Sequence, residues 1–303
     1  MSAISLSAYA IQIGKNSGLE ALRKTASLDR DFVSVAGYDG DVLSINASLS
    51  THWLTRLLDN LEATLSHQPV EWSDGPVVVL APYAFQPIQK KLLLGLQALL
   101  PPLKTPRAHK VFACGANALL RAANFISTQL DNHGHVWIVG MDIHPFFIDG
   151  SQPAQGYPTE SVVIVKAQRA QAGLTAQWVH HELATDVSHF SLASSRVYTM
   201  AATRLHDQSP LVAIYPPYSL EDELVLSGIK GIDALGSHMN EEVKYDWMSA
   251  IIGDLGANLP LLQWLNIQHD FKHAAWAANG VVLQCARSIN GYHSGALLGW
   301  QGA

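Results

Sequence analysis

Charge is scarce in this sequence. Asp, Glu, Lys and Arg supply 15% of its 303 residues, against roughly 25% in an average soluble domain. The balance is 19 basic to 25 acidic, a net charge of −6. A chain without a basic field is a poor partner for nucleic-acid phosphates. No run of five or more like charges marks a tail. Cysteine is nearly missing: Cys114 and Cys285 are the only two. That excludes a disulfide framework and a Cys-rich zinc site, and it points to a reducing, cytoplasmic setting. No stretch of about 18 uncharged apolar residues is present, so no membrane span is expected. Met1 to Lys15 has no basic region ahead of its apolar stretch, so it does not read as a signal peptide. G-x-G-x-x-G, P-loop and G-x-S-x-G motifs are absent, which removes dinucleotide, nucleotide-triphosphate and serine-hydrolase readings at the motif level.

What is there is 48% hydrophobic, and the length suits two domain-sized units. Short apolar runs alternate with helical periodicity. Ser2 to Ile13, Val77 to Ala81, Lys110 to Ala113, His135 to Met141, Val162 to Lys166 and Thr175 to His180 read as strands. Thr51 to His67, Pro87 to Leu100 and Ala116 to about Leu130 read as helices. The second half repeats this more loosely. Leu211 to Tyr215, Ser249 to Ile252, Val281 to Cys285 and Ala296 to Trp300 are its strands. Ser194 to Leu205, Ser219 to Gly228 and Ala257 to Ile267 are its helices. Residues 19–24 read as a short helix and 33–46 as a connection. The grammar is α/β, divided near Asp186 into halves 1–185 and 186–303.

The chemistry concentrates at Lys110–Val111–Phe112–Ala113–Cys114–Gly115–Ala116–Asn117. A strand ends in a cysteine and a helix begins at once. Orphan N–H groups and the helix dipole there favour a thiolate and are expected to lower its pKa. The same N–H groups suit an oxyanion. The competing reading of Cys114 is a small buried hydrophobe. Fourteen histidines invite a metal reading, above all His269 and His273 at i, i+4 spacing. No third ligand accompanies them, and no metal site is expected. His180 and His181, adjacent on a strand, point to opposite faces. Asp142 and His144 follow a buried strand, with Asp142 read as holding a loop. Cys285 reads as core.

Residues Val111 to Asp142 resemble the nucleophile region of the thiolase superfamily, β-ketoacyl synthases in particular: strand, cysteine, Ala-rich helix, then Val139–Gly140–Met141–Asp142. Ile252–Gly253–Asp254–Leu255–Gly256–Ala257–Asn258 is similar to the second-half G-H/N-x-x-G-A element. Asn290–Gly291–Tyr292–His293–Ser294–Gly295–Ala296–Leu297 resembles the closing Gly-rich hairpin. The resemblance implies a thiolase-like five-layer αβαβα fold of two βαβαβαββ halves, usually a homodimer. It implies that Cys114 takes an acyl group from a thioester on coenzyme A or acyl carrier protein, with no further cofactor. Gly115, Gly291 and Tyr292 fall at oxyanion and substrate positions. The family's histidines are missing from the matching positions. Asp254 stands at one; Tyr215–Pro216–Pro217–Tyr218 occupies the other, with His238 and His293 as substitute bases. Two functions follow: acyl transfer through Cys114, or a non-catalytic thiolase-fold scaffold, adaptor or partner subunit.

Overall fold

Strands with every residue buried need cover on both faces, and Val77–Ala81 is such a strand. In the computed structural model, Val77, Val79 and Ala81 face one apolar cluster, and Val78 and Leu80 face another. The structure describes residues 2–19, 33–34, 41–42, 44–45, 52–83, 86–143, 159–205, 209–217, 228, 230–246, 248, 252–288 and 291–302.

The strands in chain order are β1 (Ile4–Ile13), β2 (Asn16–Ser17), β3 (Val33–Ser34), β4 (Asp41–Val42), β5 (Val77–Ala81), β6 (Lys110–Ala113), β7 (His135–Asp142), β8 (Ser161–Arg169), β9 (Gly173–Leu183), β10 (Leu211–Tyr215), β11 (Lys244–Tyr245), β12 (Val281–Arg287) and β13 (Tyr292–Gln301). Five long helices accompany them: α1 (Trp53–His67), α2 (Gln86–Leu99), α3 (Ala118–His133), α4 (Phe190–Ala202) and α5 (Leu259–Lys272).

One sheet carries the order β11-β10-β12-β13-β9-β1-β8-β7-β5-β6. It is a repeat. In the first block β6, β5 and β7 run parallel, and β8 and β1 follow antiparallel. In the second, β11, β10 and β12 run parallel, and β13 and β9 follow antiparallel. Among the described residues the strands of the two blocks pair with each other at Ile4 and Leu174 alone. Beyond that pair the Leu6 backbone turns to Gln268 of α5, which accepts from the Leu6 N–H and donates to its carbonyl, both at 2.7 Å. By strand pairing β9 goes with the second block, so the repeat turns over between Arg169 and Gly173, inside the segment 1–185 read as the first half.

Five layers result. Leu57 and Leu61 of α1 and Leu92 and Leu96 of α2 cover the outer face of the first block, against Trp137 and Val139. The helices α3 and α5 fill the space between blocks, with Leu119, Ile126, Leu261 and Leu265 against Ile138, Val165, Val282 and Leu298. Val197, Tyr198 and Ala201 of α4 cover the outer face of the second block. Each such buried aliphatic side chain contributes roughly 1.5–3 kcal/mol. The inner layer explains why α5 is buried nearly all round, unlike a surface helix. Its polar residues are paired: Trp264 Nε1 donates to Gln284 Oε1 at 2.7 Å, and Gln284 Nε2 donates to the Pro260 carbonyl at 3.1 Å.

Several expectations need correction. Ile252 is helical rather than in a strand, and the edge strand of the second block is β11, which its polar composition hides. The connection at 33–46 contains the β3–β4 hairpin. Residues 20–24, 219–227 and 249–251, with His144, Tyr218 and Asn290, lie outside the described residues. Among the described residues no helix is long and apolar enough to cross a membrane.

Candidate functional site

The fold brings the heads of its two central helices together. After β6 the chain passes Cys114, then Gly115 at φ +55°, and makes a 3-10 turn over Gly115–Asn117 before α3 begins. Before α5 it passes Gly256 at φ +41° into a 3-10 turn over Gly256–Asn258. Both turns read Gly-Ala-Asn, and both need the left-handed conformation that glycine adopts without cost. The two turns pack against each other.

Each asparagine then reaches across to the start of an antiparallel strand. Asn117 Nδ2 donates to the Tyr292 carbonyl of β13 at 2.9 Å. Asn258 Nδ2 donates to the Ser161 carbonyl of β8 at 3.0 Å and to Ser161 Oγ at 2.9 Å. These are equivalent positions in the two blocks, so the repeat extends to its hydrogen bonds. Asn117 Nδ2 also donates to Ser288 Oγ, which donates to the Cys114 carbonyl at 2.8 Å. Cys114 is thereby tied to the closing hairpin. Neither asparagine was read from sequence as functional; the repeated Gly-Ala-Asn ahead of a helix was the signal.

Cys114 is half-buried against the inner core. Burial pushes its thiol pKa up, and the Arg121 guanidinium pulls it down more weakly. The expected lowering of the thiol pKa is therefore corrected: the sulfur is enclosed enough for desolvation to dominate, and a 3-10 turn separates it from α3.

Asp142 ends β7 beside Gly256, where an added Cβ would stand 2.1 Å from Asp142 Oδ2. Burial and then the Asp254 charge raise its carboxyl well above the ordinary range, against hydrogen bonds from the Ala257 and Ile143 backbone. Asp254 accepts from the Gly256 N–H at 3.0 Å. Its own pKa is raised by burial, opposed by that bond and by Arg287. An ionised aspartate at this position repels an enolate and donates no hydrogen bond.

The two histidines read as substitute bases stand away from Cys114. Along β13, Tyr292, Ser294, Ala296 and Leu298 face inward, and His293, Gly295 and Leu297 face α4. His293 meets Phe190 edge-on at 5.3 Å and lines a small cavity with Ser194, Tyr198 and Cys285. His238 sits in a 3-10 turn over Gly236–His238 whose neighbours Leu235 and Met239 pack on that same outer side. The Gly291 N–H is used within its turn, donating to the Ser288 carbonyl at 3.1 Å. Tyr292 lies inward, its ring 4.2 Å beneath the Arg121 guanidinium. On the same inner face His181 Nδ1 and Ser294 Oγ lie 2.7 Å apart.

His293 makes a pH prediction. Burial, then Arg287, lowers its pKa from 6.5 to about 4. The unfolded chain takes up this proton near 6.5 and the folded one only near 4. The contribution is full above 6.5 and is lost as pH falls to 4, by roughly 3 kcal/mol. Urea midpoints at pH 7 and 4.5 should therefore fall less in His293→Leu than in the wild type. Parallel falls would contradict the placement.

Among the described residues no group of three or more His, Cys, Asp or Glu side chains is arranged to hold a metal. His269 and His273 stack on each other at 3.9 Å at the end of α5. Cys285 is core, its thiol pushed up to about 12 by burial.

No family model matches the chain, and no curated protein does. Solved structures match over its whole length. The ishigamide ketosynthase/chain length factor aligns with TM-score 0.66 at 15% identity, over 99% of this chain and 100% of that one. A type II polyketide acyl-carrier protein in complex with its ketosynthase aligns with TM-score 0.65 at 10% identity, over 98% and 99%. The ketosynthase from module 6 of the bacillaene synthase of Bacillus subtilis 168 aligns with TM-score 0.67 at 7% identity, over 98% and 72%. The fold is thiolase-like, of the β-ketoacyl synthase kind.

Proposed function

We propose that the protein accepts an acyl group from a thioester on Cys114 and transfers it onward, without decarboxylative condensation. The observation that carries this reading is the position of Cys114: half-exposed at the head of central α3, with its carbonyl fixed by Ser288 to the closing hairpin. In the first step the thiol loses its proton and sulfur attacks the thioester carbonyl. The carbon–sulfur bond to coenzyme A or acyl carrier protein breaks, and the leaving thiolate takes up a proton. A second nucleophile, water or another thiol, then releases the acyl group. The outward placement of His293 and His238 is why condensation is left out. An acyl-CoA substrate should release one equivalent of coenzyme A per chain in a burst, and Cys114→Ala should abolish it; equal release by both proteins would overturn the reading.

A second reading is a non-catalytic subunit paired with a further thiolase-fold chain, its own copy or another, or with acyl carrier protein. The observation favouring it is that His293 faces the outer helix α4 and His238 lies on that same outer side, so neither serves Cys114.

A further inference from the structure

Arg121 is a half-buried guanidinium on the second turn of α3. It lies 4.2 Å over the Tyr292 ring, and among the described residues no carboxylate pairs with it. Other arginines do find carboxylates: Arg56 with Glu160, Arg107 with Asp74, Arg169 with Asp131 and, more loosely at 3.8 Å, Arg196 with Glu182. Arg121 is also close to the nucleophile. The residue it stacks on gives its carbonyl to Asn117 at 2.9 Å, three residues from Cys114. Its charge acts on Cys114 and on His181, whose ring is held at Ser294, two residues along the same strand face. Among the described residues, the inner face around Cys114 therefore carries the Arg121 guanidinium, the His181 imidazole and two hydroxyl groups, Tyr292 and Ser294.

A fixed guanidinium with free N–H donors binds a planar carboxylate through two parallel hydrogen bonds. The anion must be near the reacting carbonyl, because Arg121 is near the sulfur. A carrier's phosphate lies a full pantetheine arm away from its thioester; a carboxylate at the far end of a short acyl chain does not. We propose that this site selects acyl groups ending in a carboxylate, with Arg121 as the specificity-determining residue. The inference rests on the reading of Cys114 as the acyl acceptor.

Two paired ligands test it: glutaryl-CoA and valeryl-CoA, of equal chain length and sharing every phosphate. Binding is measured on Cys114→Ala, so that it does not depend on acyl transfer, and acylation rate on the wild type. The expected result is a preference for glutaryl-CoA of at least about tenfold in both. It should be lost in Arg121→Met and partly kept in Arg121→Lys. Equal binding of the two ligands overturns the proposal. So does a preference that survives Arg121→Met, or equal weakening of both ligands, which assigns Arg121 to the carrier phosphate. A glutaryl preference in binding with no acylation of the wild type upholds Arg121 and overturns acyl transfer instead.

Discussion

Replacing Glu160 with glutamine is expected to destabilise the protein by roughly 3–5 kcal/mol, the range for removing one partner of a buried ion pair. Glu160 and Arg56 are 0% and 2% exposed. Arg56 Nε donates to Glu160 Oε1, Ser44 Oγ donates to Oε2 at 2.8 Å, and Arg56 Nη2 donates to Ser44 Oγ at 3.0 Å. The Ile45 N–H adds a bond at 3.2 Å. The network joins α1 to the residue just before β8. Glutamine keeps the volume and removes the charge, so the Arg56 Nε–H loses the buried carboxylate it donates to. Replacing both partners, as Arg56→Met with Glu160→Leu, should recover most of the loss, because neither charge is then left to desolvate. Urea unfolding of the three variants reads this. A loss under about 1 kcal/mol for Glu160→Gln would place the pair in solvent instead, where such bridges have that worth.

Gly140→Ala is expected to cost about 3 kcal/mol, the upper end for overpacking a filled core. Its new Cβ would stand 1.8 Å from Asn258 Oδ1. Asn258 is fully buried and holds β8 through Ser161, so it has no free direction to move. Displacing it also loosens the turn that packs on Cys114, and acylation should fall with stability. Gly134→Ala is the control. Gly134 has φ +74° with nothing within 4 Å of an added Cβ, so only the left-handed strain of roughly 1–2 kcal/mol applies. A loss under about 1 kcal/mol for Gly140→Ala would show that Asn258 yields to the new Cβ and would contradict the overpacking account.

The central strands of each block were legible because they are buried on both faces. Val77 to Ala81 and Leu211 to Tyr215 were read to the residue, since the apolar run is opened by Pro76 in the one and bounded by Pro210 and Pro216 in the other. Lys244–Tyr245 was not, because a two-residue edge strand carries polar side chains and no period. The site was half legible. Cys114 announced itself by strand, cysteine and helix in succession, and the placement of Asp254 before the second central helix followed from the same pattern. The facing of His293 was harder: on a strand neighbours alternate sides, and a hairpin sequence does not say which side is inward until Tyr292 or Ser294 is seen packed. The direction of the thiol's pKa shift was misread because the helix dipole is visible in sequence, whereas the burial that outweighs it is not. Arg121 went unremarked because its isolation from carboxylates is a property of space, not of spacing.

The central claim is that Cys114 is a working acyl acceptor. Intact-mass spectrometry after mixing the protein with acyl-CoA and acyl-carrier-protein thioesters tests it most directly. One acyl adduct per chain, mapping to the Cys114 peptide and absent from Cys114→Ala, is the expected result. An unmodified mass across all the thioesters, from a protein whose Cys114 is still alkylated by iodoacetamide, would contradict it.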